Sequence, residues 1–152
     1  MSDEPSDVAG ADHGAQAAVT ARHWLALASG DLQAAEMALT AGLPLRTAAG
    51  HAQQAAEKAL KAIVALDRDP PRTHDLAALR LMTPSELRDA LADVDLDSLT
   101  QAGSAGRYPG LDDEAYGPDE AAALAEGARQ VLARVTAHLR AAGVDVTGIA
   151  PR

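Results

Sequence analysis

A run of twelve residues near the middle of the chain most constrains the fold. The run HAQQAAEKALKA, residues 51–62, contains only good or neutral helix formers and neither Gly nor Pro. Small side chains recur every three or four positions and form one smooth face: Ala52, Ala55, Ala59 and Ala62. Polar side chains recur at the same spacing and form a second stripe: His51, Gln54, Lys58 and Lys61. Because a helix needs only one apolar face to fold, we interpret the polar stripe as a surface with a function.

Composition limits the class of protein. A chain of 152 residues is large enough for one domain with its own core. Phe is absent and aromatic residues are few, so the core must consist of Ala, Leu and Val, and its helices should pack closely. The lack of Cys excludes a disulfide framework and a thiolate site. No apolar run reaches membrane-spanning length and the N-terminus does not resemble a signal peptide, so we expect a soluble cytoplasmic protein.

The net charge of −9 is unevenly distributed. The middle of the chain, residues 44–88, carries seven Lys and Arg against five acidic residues, whereas both flanking segments are strongly acidic. An acidic protein repels a phosphate backbone, so we expect no tight nonspecific binding to nucleic acid. If an anion binds, the middle segment is the place.

The periodicity of apolar residues predicts an all-α protein, an antiparallel up-and-down bundle of four or five helices. We expect a disordered tail over residues 1–16, the bundle over 17–142 and a C-terminal tail over 143–152. The predicted helices cover residues 17–40, 47–67, 73–81, 84–101 and 118–142. Thr73 is the predicted N-cap of the third helix, and the fourth should break near Val94. Gly30 in the first helix costs about 1 kcal/mol relative to Ala, so we expect a close contact there.

Four sequence motifs together resemble the HEPN domain family. They occur in the family's order, and the run at residues 51–62 is the most specific of them. The matching residues are Trp24, Ala28, Asp31-Leu32 and Ala35, then His51–Ala62, then Pro70-Pro71-Arg72-Thr73-His74-Asp75-Leu76, then Arg107-Tyr108-Pro109. The resemblance implies a bundle of four or five helices related to the substrate-binding domain of kanamycin-type nucleotidyltransferases. It also implies homodimers and, in many members, a separately encoded minimal nucleotidyltransferase partner.

The resemblance also raises the question of ribonuclease activity. Active members of the superfamily are similar in an Arg followed, after four to six residues, by a His late in the bundle, which would assist proton transfer and stabilise charge on the phosphate. The last helix of this chain offers Arg134 and His138, which are separated by only three residues. His138 also lies on the predicted apolar stripe of that helix, which is more typical of a core or interface histidine than of a catalyst.

An anion or nucleotide site can also be assembled from the matching motifs. Its candidates are basic or aromatic: Lys58, Lys61, Arg72, His74, Arg107 and Tyr108. The alternative for Lys58 and Lys61 is a solvated helix face on which Lys61 pairs with Glu57 at i,i+4. The alternative for His74 is packing against the bundle, and for Tyr108 a structural anchor. The acidic run at residues 112–114 lacks the spacing of a metal loop, so we expect neither a metal nor a cofactor.

Three functions follow as hypotheses. The first is a noncatalytic HEPN module, a homodimer that binds a nucleotide or RNA or docks a nucleotidyltransferase. The alternative is a metal-independent ribonuclease toxin of a toxin–antitoxin pair, with Arg134 and His138 at a dimer cleft. A third interpretation is structural, with a polar stripe that only assembles a complex.

Overall fold

A computed structural model describes residues 6–105 and 116–149. The described part of the chain contains helices and no strand. The elements are α1 (Ser6–Thr40), α2 (Leu45–Val64), α3 (Leu76–Leu81), α4 (Ser85–Ala90), α5 (Leu96–Ala105) and α6 (Pro118–Ala141). The predicted all-α class is confirmed, with three long helices and three short ones in the described residues. Arg107, Tyr108 and the acidic run at 112–114 lie outside those residues.

The second helix is the centre of the bundle. It packs against α1, α6, α5 and α3. Alanine makes this possible, because small side chains on several faces of α2 allow neighbouring helices to approach from different directions. The buried alanines of α2 are Ala48, Ala49, Ala52, Ala55, Ala56, Ala59 and Ala62. A tight turn at Gly42, with φ of 68°, joins α1 to α2.

The first helix is longer than predicted. It begins at Ser6, so residues 6–16 continue α1 where a disordered tail was expected. Two features of the sequence explain the extension. Residues 6–40 contain no Pro and many helix-forming alanines, and residues 6–16 are continuous with a strongly periodic segment. Within Val19–Thr40 one apolar face is buried, with Leu25, Ala28, Leu32 and Ala35 fully or almost fully buried and Leu39 half-buried.

The short helices modify the predicted third and fourth helices. Asp75, not Thr73, is the N-cap of α3, because its side chain accepts a hydrogen bond from the Ala78 amide. Thr73 instead accepts from the Asp75 amide within the preceding loop. The break near Val94 is confirmed, since α4 ends at Ala90 and α5 begins at Leu96. Asp95 hydrogen-bonds the Ser98 amide and hydroxyl at the start of α5, and these bonds lower the pKa of its carboxyl.

The last helix and the segment after it close the bundle. α6 ends at Ala141, and Ala142 is exposed because the chain turns there at Gly143. The predicted C-terminal tail is packed rather than free over its described part: Val144, Val146 and Ile149 are buried in the core. Arg22 of α1 fixes this segment by donating hydrogen bonds to the carbonyl oxygens of Asp145 and Thr147.

None of the described helices is both long enough and apolar enough to cross a membrane.

Candidate functional site: the polar network of α2

The polar residues of α2 form a network around one buried carboxylate, that of Glu57. Lys61 donates from Nζ to Glu57 Oε1 at 2.7 Å, and the two side chains are only 8% and 5% exposed. Oε2 of the same carboxylate accepts from Gln53 Nε2 at 2.7 Å and lies 3.0 Å from His74 Nδ1. Lys61 Nζ also lies 5.6 Å from the centre of the Trp24 ring, within cation–π distance. Lys61 was expected on an exposed polar stripe of α2. It is buried instead, and its charge is paired with that of Glu57.

The environment of Glu57 favours its ionised form. Burial would raise the pKa of the Glu57 carboxyl, but hydrogen bonds from Lys61, His74 and Gln53, with the charge of Lys61, outweigh it. The pKa therefore lies below the ordinary value of 4.5. A carboxylate with a lowered pKa and with both oxygens hydrogen-bonded is poorly suited to accept a proton near neutral pH. Its geometry is that of a structural anchor.

Two glutamines extend the network toward the N-terminal half of α2. Gln54 Nε2 donates a hydrogen bond to Gln53 Oε1 at 2.8 Å. Gln53 is fully buried, and its Nε2 donates in turn to the Glu57 carboxylate. Gly103 of α5 covers Gln53 so closely that a Cβ at this glycine would lie 2.7 Å from Gln53 Cδ. A side chain at position 103 would therefore displace the buried amide of Gln53. Gln53 belongs to the motif at residues 51–62, although its role in the core was not predicted.

A second carboxylate, Asp31 of α1, holds the other half of the polar stripe. Lys58 Nζ lies 2.6 Å from Asp31 Oδ2, and His51 Nδ1 lies 3.0 Å from Asp31 Oδ1. The Asp31 side chain is 14% exposed, so these contacts are partly shielded from water. These contacts connect α1 to α2. Their partners are 20 and 27 residues apart in sequence, and the periodicity of a single helix gives no information on such pairs. Asp31 was noted in the motif before α2, but its partners were not predicted.

The candidate anion site is therefore divided between two carboxylates. Lys61 and His74 both contact the Glu57 carboxylate, whereas Lys58 contacts the Asp31 carboxylate. Arg72 is exposed in the loop before α3. Arg107 and Tyr108 lie outside the described residues. Each lysine of the stripe thus already has an anionic partner within the chain.

The candidate ribonuclease residues are both on α6 but have different environments. Arg134 donates to both carboxylate oxygens of Asp93, one of them at 3.2 Å, and to the Ala90 carbonyl oxygen at 2.7 Å. The hydrogen bonds from Arg134 hold the pKa of the exposed Asp93 carboxyl below its ordinary value. His138, one turn later, is half-buried. Arg134 therefore ties α6 to the end of α4 and the turn that follows it.

Two cavities adjoin these elements. One, of about 310 Å³, lies between α2 and α5 and is lined by His51, Gln53, Gln54 and Gly103 among others. The other, of about 620 Å³, lies between α5 and α6, with Asp95, Glu120 and Tyr116 in its wall. Burial and then the charge of Glu120 raise the pKa of the Tyr116 hydroxyl above its ordinary value. Within residues 6–105 and 116–149, no group of three or more His, Asp or Glu side chains is placed to hold a metal ion.

Comparisons with known proteins place this architecture in a family. The family model described as HEPN domain matches residues 21–138, which include all of α2 and the network around it. Searches of curated proteins and of solved structures gave no match. The family match covers most of the chain and spans the motifs at Trp24, at residues 51–62 and at residues 70–76. The chain belongs to the HEPN domain family.

Proposed function

We propose that this chain is a noncatalytic HEPN module that acts as a homodimer and docks a protein partner. The observation that carries the proposal is the internal neutralisation of the α2 stripe. Lys61 lies on Glu57 and Lys58 lies on Asp31. A phosphate would have to displace a carboxylate from each lysine, at a cost in desolvation and hydrogen bonds. The run at residues 51–62 therefore stabilises the bundle, and we assign the binding of a protein partner to other surfaces of the chain.

The net charge supports a protein partner over a nucleic acid. A chain with a net charge of −9 repels a polyphosphate at long range, although its middle segment is slightly basic. The resemblance to the family points to a minimal nucleotidyltransferase as the partner, encoded separately from this chain. The test is to mix the purified chain with such a protein from the same genome and to measure the mass of the mixture by light scattering. A stable complex supports the proposal, and separate elution of both proteins contradicts it.

Binding of a nucleotide is tested in parallel. The wild-type chain and Lys58→Ala are titrated with ATP and with a short single-stranded RNA by calorimetry. We expect no saturable binding by either protein. Saturable binding by wild type that Lys58→Ala weakens would favour the anion site over protein docking.

The ribonuclease alternative is tested with RNA in the presence of EDTA. Because Arg134 has a structural contact with Asp93, the variant Asp93→Ala is the matched control for Arg134→Ala: both remove the same ion pair. We expect no cleavage by wild type. Cleavage by wild type and Asp93→Ala, but not by Arg134→Ala or His138→Ala, would establish a metal-independent ribonuclease.

A further inference from the structure

The outer face of α1 lacks ionised side chains over six turns. The exposed residues between Val19 and Thr40 are Val19, His23, Ala26, Leu27, Gly30, Gln33, Met37 and Thr40. Val19 and Met37 are 61% and 63% exposed, and Leu27 is 42% exposed. None of the eight is Asp, Glu, Lys or Arg, in a chain whose composition is 23% charged. A face without charge that exposes three large apolar side chains marks an interaction site more often than a scattered exposed residue does.

The charged residues of this part of α1 all point toward the rest of the bundle. Val19–Thr40 contains three of them. Arg22 binds carbonyl oxygens of the C-terminal segment, Asp31 binds His51 and Lys58, and Glu36 binds Arg129 of α6 at 2.6 Å. The absence of charge on the outer face is therefore a property of that face and not of the whole helix.

The exposed positions have the spacing of a helix–helix contact. Seven of them are separated alternately by four and three residues, at 19, 23, 26, 30, 33, 37 and 40. This average period of 3.5 keeps one face of a helix against a neighbouring helix. Small residues, Ala26 and Gly30, lie at the middle of the row, and a Cβ on Gly30 would meet no atom of the chain within 4 Å. The close contact predicted at Gly30 is therefore absent within the described chain, and the space beside it is open to another helix.

The N-terminal part of α1 extends beyond the bundle. Every residue from Gly10 to Gln16 is exposed, so no side of these two turns packs on the described chain. Gly10 and Gly14 each cost about 1 kcal/mol relative to Ala in a helix, and short unpacked helices are marginal in water. A helix of this composition needs a surface to pack on.

We infer that the outer face of α1 packs against α1 of a second copy, with the two helices antiparallel. An antiparallel pairing with its two-fold axis between His23 and Ala26 overlaps residues 9–40 of the two copies, almost the whole of α1, and sets the larger Val19 of one copy near the small Gly30 of the other. It also covers the exposed N-terminal turns of both copies. This inference rests on the homodimer part of the proposed function and names its surface.

The area of the contact supports overlap along the whole helix. α1 has 35 residues and is therefore about 52 Å long. With a width of about 10 Å, two copies cover about 1,000 Å² in total, which is near the lower limit for a specific interface. The segment Val19–Thr40 alone would give about two thirds of that area. Because the exposed residues of Val19–Thr40 carry no ionised side chain, two copies of a strongly acidic chain can meet over this segment without apposing like charges.

The first test compares two alanines that differ in place and not in type. Ala26 lies on the outer face of α1, and Ala133 is exposed on α6. We measure the dimer dissociation constant of wild type, Ala26→Asp and Ala133→Asp by sedimentation velocity, with circular dichroism to confirm folding. We expect Ala26→Asp to raise the constant by about tenfold or more, because two carboxylates would be buried close to the two-fold axis, and Ala133→Asp to leave it unchanged. A wild-type monomer at all concentrations would overturn both the homodimer and this inference. A dimer that is equally stable in both variants would overturn this inference alone.

The second test determines the direction of the pair. The chain contains no Cys, so single cysteines can be introduced without further changes. In the antiparallel arrangement Ala26→Cys lies near the same residue of the second copy, whereas the two copies of Met37→Cys are about 35–40 Å apart. We expect a short bismaleimide reagent to crosslink Ala26→Cys and not Met37→Cys. Crosslinking of Met37→Cys, or of neither, would overturn the antiparallel pairing.

Discussion

Glu57 accepts a hydrogen bond from Lys61 one turn later on α2, and the two side chains bury opposite charges at a distance of 2.7 Å. Truncation of one partner leaves the other charge buried and unpaired. We therefore expect Glu57→Ala to lower the free energy of unfolding by about 3–5 kcal/mol, measured by urea denaturation. The control is Asp67→Ala, which breaks the exposed pair with Arg68 and should cost less than about 1 kcal/mol. Equal effects of the two substitutions would contradict the structural role of Glu57.

The lowered pKa of Glu57 predicts a pH dependence with a definite sign. Because the folded-state pKa lies below the ordinary 4.5, the ionised carboxylate contributes stability that is fully present above that value and is lost as the pH falls through the folded-state pKa. Glu57→Gln removes this titration. We expect the difference in unfolding free energy between wild type and Glu57→Gln to be largest above pH 4.5 and to narrow as the pH falls below that value. A difference that stays constant over this range would show that Glu57 does not titrate as described.

Among the glycines that the structure describes, Gly103 is predicted to be the least tolerant of a methyl group. Its added Cβ would lie 2.7 to 2.9 Å from three atoms of the Gln53 side chain, which is fully buried and hydrogen-bonded to Glu57. We expect Gly103→Ala to lower the free energy of unfolding by about 1–3 kcal/mol. Gly50 lines the same cavity, but a Cβ there meets no atom within 4 Å. Gly50→Ala should therefore raise stability by up to about 1 kcal/mol, and a gain for both variants would be evidence against the tight fit at Gly103.

Arg22 is predicted to hold the C-terminal segment in place. Its guanidinium binds the carbonyl oxygens of Asp145 and Thr147, on either side of the buried Val146. We expect Arg22→Ala to accelerate hydrogen exchange of the amides of residues 144–149 while exchange in α2 remains slow. Arg140→Ala, at an exposed position near the end of α6, is the control and should change neither. Unchanged exchange in the segment would mean that its apolar side chains suffice to anchor it.

The three long helices could be predicted because their apolar residues recur at helical spacing. The predicted end of the first helix at residue 40, the predicted start of the last helix at residue 118 and the predicted break near Val94 agree with the structure. The central position of α2 could not be predicted in the same way. Alanine is compatible with a buried face and with an exposed one, so a helix rich in alanine gives a weak signal of which side is buried.

The candidate site was only partly predictable. The motif at residues 51–62 drew attention to Lys61, and the i,i+4 spacing suggested its pairing with Glu57. The ring of Trp24, whose centre lies 5.6 Å from the Lys61 ammonium, comes from a different helix and could not be predicted as a neighbour of that pair. The partner of Lys58 is Asp31, 27 residues earlier, and pattern within one helix carries no information on such a contact. For these reasons the stripe predicted to be a free surface is mostly an internal network.

Trp24 is the single tryptophan of the chain, and its ring lies beneath the Lys61 ammonium where α1 meets α2. Tryptophan fluorescence of the unlabelled protein therefore originates at one point, next to the buried ion pair. A shift in the emission maximum reports a change in that local environment. If α1 separates from α2, the emission changes even while the rest of the bundle stays folded. Trp24 is therefore an intrinsic fluorescence probe of the contact between α1 and α2.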